Sequence, residues 1–290
     1  MTDETTILNR AFLGKEYHAG PHVVKAKSIR NYALATNEKN PLYLSTESDA
    51  ELVPPPIYPV VFLPEILSQL VDDAEDINFN ILRVVHAEHQ MSWKDALRPG
   101  DEVHTTAKIS NMEQRGVNEI LDLQIQCRRE DITVVEMNYR LLSRGKKKAG
   151  DKRPVKGTPE PERGELLVKH QSTVTADQGV RYAEASGDHN PIHKSDEVAR
   201  SVGLPRAILH GLCTMALASQ AIVDGLLEGN PERLKSMSVR FSQPVLLDQT
   251  ITTRVYDGGI GEGGLHVVHF ETIDENDTPV LTLGTAEYST

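Results

Sequence analysis

Aromatic side chains are scarce in this sequence, only 5% of residues with a single Trp, so any core has to be mainly aliphatic. Cysteine is scarcer still. Cys127 and Cys213 stand far apart, which argues against a disulfide framework and for a reducing compartment. No apolar run reaches spanning length, and the start, Met-Thr-Asp-Glu-Thr-Thr, lacks the basic and apolar regions of a secretory leader. The end, Glu287-Tyr288-Ser289-Thr290, is not a peroxisomal address, so a cytoplasmic protein with no membrane partner is expected. Basic charge is also in deficit. The net charge of −11 argues against a nucleic-acid partner and leaves an anionic ligand dependent on local Lys or Arg.

What is present is a repeat. Tyr32-Ala33-Leu34-Ala35-Thr36-Asn37-Glu38-Lys39-Asn40-Pro41-Leu42-Tyr43 aligns without a gap on Tyr182-Ala183-Glu184-Ala185-Ser186-Gly187-Asp188-His189-Asn190-Pro191-Ile192-His193. The offset is 188 − 38 = 150 residues, so the chain reads as two copies of one fold. The boundaries expected are 1–144 for the first copy, 145–163 for a Lys-, Pro- and Gly-rich linker, and 164–290 for the second. In that linker Lys146 to Lys148 read as a solvated run. Each copy presents a short strand, a helix, an Asn-Pro loop and an apolar helix, placed at about 60–71 and 212–227. Alternating strands follow at 83–93, 101–110, 117–128 and 132–142, then at 236–241, 250–256, 265–273 and 280–288. One long helix against antiparallel strands is an α+β layer arrangement.

The second copy carries the chemistry. Asp188, Asn190 and His193 lie within six positions, and a carboxylate and an imidazole can be tuned to either side of neutral pH. Asn190 both donates and accepts hydrogen bonds. His210-Gly211 stands directly before the apolar run from Leu212, where a helix start offers unpaired N–H groups to a developing oxyanion. In the first copy Glu38 replaces Asp188 and Tyr43 replaces His193, while Pro54, Pro55, Pro56 and Pro59 crowd the His-Gly region. That copy is expected to serve as scaffold and substrate wall.

Tyr182-Ala183, Ser186-Gly187-Asp188, Asn190-Pro191-Ile192-His193, Asp196, Ala199, Gly203 and Ile208-x-His210-Gly211 together resemble the MaoC-like hydratase signature of the hotdog superfamily. The resemblance covers about thirty residues with their spacing intact. The first copy resembles the altered dehydratase-like hotdog often fused to such a domain, with Pro54-Pro55-Pro56 and Leu97-Arg98-Pro99-Gly100-Asp101 as weaker markers. The resemblance implies two hotdog folds, each a long central helix wrapped by an antiparallel sheet. It also implies a hydro-lyase of fatty-acid metabolism interconverting trans-2-enoyl-CoA and (R)-3-hydroxyacyl-CoA. In its terms Asp188 and His193 activate water, Asn190 orients it, and the Gly211 N–H holds the thioester oxygen, with Ser186, Gly187 and His210 in the substrate-binding set.

Either coenzyme A or an acyl-carrier protein can carry the acyl group. No cofactor beyond the substrate's coenzyme A is needed, because adding water to a polarised enoyl group requires only acid/base and oxyanion help. A homodimer is possible. A hotdog thioesterase and a non-catalytic acyl-thioester-binding subunit are the competing readings. The Gly259-Ile260-Gly261-Glu262-Gly263-Gly264 string matches a dinucleotide fingerprint only formally, since β-like segments flank it on both sides and predict a hairpin loop. His86 and His89 should point to opposite faces of a strand, which leaves no metal site there. Cys213, at a helix start without a partner base, is expected to be a small buried side chain.

Overall fold

The computed structural model describes residues 8–145 and 163–290, so the expected linker, with Lys146 to Lys148, lies almost wholly outside the described residues. The first half runs β1 (Glu16–Val23), α1 (Ala26–Ala35), α2 (Pro41–Leu44), α3 (Pro64–Asp72), α4 (Ala74–Ile77), β2 (Val84–Trp93), β3 (Glu102–Arg115), β4 (Asn118–Arg129) and β5 (Ile132–Ser143). The second half runs β6 (Leu166–Val174), α5 (Gln178–Ser186), α6 (Asp196–Ser201), α7 (Gly211–Leu226), β7 (Leu234–Phe241), β8 (Gln249–Ile260), β9 (His266–Ile273) and β10 (Pro279–Tyr288). The G-x-G-x-x-G string forms the turn between the antiparallel strands β8 and β9, the hairpin expected of it.

Alternation builds the strands. Along β3, Val103, Thr105, Ala107 and Ile109 are buried, while Glu102, His104, Lys108 and Ser110 face out. All ten strands join one antiparallel sheet in the order β1-β3-β4-β5-β2-β7-β10-β9-β8-β6. The repeat is visible in that order, because each half is a five-stranded set and β2 pairs with β7 at the seam. Glu88 of β2 ties this seam by accepting from both Arg140 and Arg240.

The two halves also meet through their matching helices. The Tyr32 and Tyr182 hydroxyls, 150 residues apart, lie 3.2 Å from each other. Arg181 of α5 donates to the Leu34 carbonyl and to Asn37, and Gln178 donates to the Ala35 carbonyl. The Asn-Pro loops fold alike because the chemistry is local. Asn40 Oδ1 accepts from the Leu42 N–H (3.0 Å) and Asn190 Oδ1 from the Ile192 N–H (3.2 Å), and each Asn is followed by Pro at the first helical position.

The central helices differ. Helix α7 buries every residue from Cys213 to Val223, as a helix that is apolar all round must. Each large aliphatic side chain covered there contributes roughly 1.5–3 kcal/mol of burial. Among the described residues the first half has no such helix, contrary to the expectation of one at 60–71. A 3-10 turn spans Tyr58–Phe62, α3 begins only at Pro64, and a further break precedes α4. Pro59 and Pro64 lack the N–H that a continuous helix would need.

Glu38 is buried at this altered end, its Oε2 accepting from Gln220 of α7 at 3.2 Å. Burial, then the charge of Asp224, push its carboxyl up to about 8. A carboxyl raised in the folded chain contributes stability that is complete below its unfolded value and is lost as pH rises through about 8. Thermal unfolding should therefore favour Glu38→Gln over wild type by a margin that widens from mildly acidic to alkaline pH. The size should be a few kcal/mol in order of magnitude, with turnover within a few-fold. An unchanged margin across pH would place Glu38 in a solvated setting.

Candidate active site

Local hydrogen bonds shape the reacting loop. Gly187 ends α5 at φ +81°, in the left-handed region, and a Cβ there would lie 2.9 Å from Pro64 of the first half. The chain then turns. The Asp188 N–H donates to Ser186 Oγ (3.2 Å), and the Asn190 N–H donates to Asp188 Oδ1 (3.1 Å). The turn is fastened to the segment that enters α7. The Ile208 N–H donates to the Ile192 carbonyl, and Asp196 Oδ1 accepts from the Ala207 N–H.

His193 is buried and its Nδ1 contacts the Ile208 carbonyl at 2.9 Å. That acceptor fixes Nδ1 as the N–H and leaves Nε2 a lone pair. Burial lowers the His193 pKa, against the opposing pull of the Asp188 charge, so the ring is neutral near pH 7. Asp188 itself is exposed. His210 joins the two: its Nε2–H donates to the Asp188 backbone carbonyl (3.0 Å) and its ring stacks on His193 with centres 3.6 Å apart. Burial, then the neighbouring His193, bring its pKa down to about 3.

Gly211 opens α7 directly after His210, so its N–H is among those with no acceptor inside the helix. A Cβ at Gly211 would lie 3.1 Å from the Phe241 ring. A carboxylate and a neutral imidazole with a free lone pair thus lie close together beside His210, which the helix-terminal N–H of Gly211 follows directly. Such a set can take a proton from water, return one to carbon and stabilise a developing oxyanion.

Asp188 and His193 come together with His210, which Gly211 follows in the chain, and Asn190 Oδ1 is occupied in capping the Pro191–His193 turn. Ser186, Gly187 and His210, expected to bind substrate, pack against this loop. Ser186 is buried with its hydroxyl donating to the Tyr182 carbonyl, and Gly187 serves as a helix end against Pro64. His210, 1% exposed, lies between Tyr182 and His193. All three help to hold the loop in shape, while His210 Nδ1 is covered and has no hydrogen-bond partner among the described residues.

One side-chain atom each from Asp188, His193 and His210 lies within 4.8 Å of the others, a separation that a divalent ion could bridge. The rings, however, stack with only 26° between their planes. In-plane lone pairs on rings stacked so closely cannot both meet one ion at the ~2.0–2.1 Å that a zinc–nitrogen bond requires. Cys213 is fully buried with its thiol pKa raised by burial, which removes it as a nucleophile.

Sequence reasoning missed the wall opposite these groups. Phe241 ends β7 beside Gly211, and burial, then the nearby Asp188 charge, raise the phenol pKa of Tyr139 of β5. Neither carries a local motif, and only pairing across the seam brings them here. A cavity of about 260 Å³ lies at the other end of the seam, lined by Pro54 to Pro56, Trp93, Arg98 and Lys235 among others. None of the acid/base groups above lines it.

Residues 160–278 match the MaoC like domain model, and residues 11–136 match the FAS1-like, dehydratase domain region. A Dictyostelium discoideum protein named probable enoyl-CoA hydratase 2 is 28% identical over 69% of this chain and 68% of its own length. The chain spans less than half of some longer relatives. A MaoC-like dehydratase from Phytophthora capsici superposes over 100% of this chain and 98% of its own, at a TM-score of 0.79 and 24% identity. A Mycobacterium tuberculosis protein described as a double hotdog superposes over 95% of each chain, at a TM-score of 0.65 and 13% identity. The fold is a double hotdog, with the first central helix broken.

Proposed function

We propose that this chain, a FAS1-like dehydratase region followed by a MaoC-like dehydratase domain, is a hydro-lyase that interconverts trans-2-enoyl-CoA and (R)-3-hydroxyacyl-CoA. The observation that carries this reading is the closeness of exposed Asp188 to buried His193 and His210, directly before the Gly211 N–H that opens α7. In the hydration direction the thioester carbonyl accepts from Gly211. One O–H bond of water breaks as its oxygen bonds C3, the C2=C3 electron pair takes a proton at C2, and Asp188 with His193 relays that proton. No proton is gained or lost overall. The relatives named enoyl-CoA hydratase 2 support the same reaction.

In this reading the chain works in the cytoplasm, in fatty-acid metabolism, with coenzyme A as carrier. Two buried free cysteines are in keeping with a reducing compartment, and no helix among the described residues is long and apolar enough to cross a membrane. Both copies of the fold are in one chain, so a monomer suffices.

The test follows loss of the enoyl chromophore and release of free thiol together, on coenzyme A and carrier-protein esters. Hydration without thiol release is expected. Thiol release that keeps pace with substrate loss would make the protein a thioesterase, and neither signal on any ester would leave it a binding subunit.

A further inference from the structure

The two histidines of β2 have no part in the reaction above. Strand alternation would set residues three apart on opposite faces, but β2 carries a bulge between His86 and Glu88 that turns both rings to one side. The rings meet edge to face with centres 5.1 Å apart. His86 lies flat on Tyr139 (3.7 Å, 4°) and touches Phe241 on its other side (4.7 Å). Phe241 is the ring beside Gly211, and Tyr139 is the ring in the field of Asp188. His86 therefore stands one ring removed from Gly211 and one ring removed from Asp188. His86 is half-buried as a residue and His89 fully buried.

The ring nitrogens of this pair are short of partners. His86 bonds the Glu88 backbone through one nitrogen, while its Nε2 and both ring nitrogens of His89 are covered and unpaired. Burial keeps both rings neutral, so each has one N–H and one lone pair. The N–H of His86 is used on the Glu88 carbonyl, which makes Nε2 an acceptor, and His89 offers one donor and one acceptor. An all-hydrocarbon acyl chain would satisfy none of them. A ketone or carboxylate oxygen only accepts, so it would leave the His86 lone pair without a donor. A hydroxyl can donate to His86 Nε2 and accept from the His89 N–H at once.

We infer that His86 and His89 form a polar subsite of the acyl pocket, and that the preferred substrates carry a further hydroxyl on the acyl chain beyond the reacting carbons. This rests on the hydratase reading above. The test compares trans-2-enoyl-CoA esters ending in a hydroxyl with methyl-ended esters of equal length, over a series of lengths. At one length kcat/KM should favour the hydroxylated ester by about tenfold or more, since a site built to bond a hydroxyl discriminates strongly against its absence. In His86→Phe and His89→Leu that ratio should fall to near one or below. Each ratio is taken within one protein, so a smaller folded fraction cancels. A wild-type ratio at or below one throughout, or a ratio unchanged in both variants, overturns the subsite while leaving hydration intact. Hydration of no ester would instead remove the reading beneath it.

Discussion

Asp188→Asn should lower turnover by roughly 10²–10⁴-fold, the usual span for lost general acid–base catalysis, while leaving the fold unchanged. The substitution is clean because Asp188 shapes its loop through Oδ1, which accepts from the Asn190 N–H, and an asparagine oxygen can do the same. The His210 bond goes to the backbone carbonyl of residue 188 and is untouched. Only the charge and the proton-accepting capacity are lost. His193→Ala should cost as much, but it also leaves the Ile208 carbonyl without its donor and removes the stack on His210. The double variant should be little worse than the weaker single one, because the two groups act as a unit. A pH profile adds a signed check. Burial holds His193 below its ordinary value and the Asp188 charge pulls it upward. The acid limb of kcat should therefore fall below pH ~6.5 and move lower still in Asp188→Asn. Near-native turnover in that variant, or an acid limb above the ordinary imidazole value, would remove the pair from the mechanism.

Gly211→Pro should lower turnover by roughly 10²–10³-fold, or about 2.7–4 kcal/mol, the range for one lost oxyanion donor. Proline suits the first helical position, and the residue before it must be extended. His210 is already there, at φ −61° and ψ 137°. The neighbouring Phe241 makes Gly211→Ala more informative than a simple control. Gly211 has no positive φ, but a Cβ would press on Phe241 at 3.1 Å, so alanine should itself slow turnover by displacing that ring. Proline adds the same Cβ and removes the N–H as well. The ratio between the two variants therefore isolates the donor. Equal rates in the two, with both folded by circular dichroism, would mean that the oxyanion is held elsewhere.

Much of the site was legible because it is made by short-range chemistry. Asn190 followed by Pro191 caps its own turn, and Gly187 ends a helix that needs a left-handed residue. His210-Gly211 marks the start of an apolar helix for the same local reasons. The broken helix of the first half has a local signal too, in Pro59 and Pro64, set against an apolar run at 60–71 that favours a helix. The surroundings of Ser186 and His210 are a different case. Ser186 and His210 are polar residues in a signature, and nothing in their spacing says that one side chain turns inward to Tyr182 and the other is covered by two rings.

The sequence by itself determined the two-copy plan, the α+β class and the neighbourhood of Asp188, His193 and Gly211. Caps, turns and hydrophobic period are written in consecutive residues. Tertiary structure alone decided what those groups face. One bulge in β2 put His86 and His89 on a single side, against the strand rule. The pairing of β2 with β7 brought Phe241 to Gly211, and packing of α7 set Gln220 against Glu38, 182 residues away in the chain. Burial and neighbouring charge, which fix the protonation of Glu38 and His193, are properties of the space around a side chain. No window of sequence contains that space.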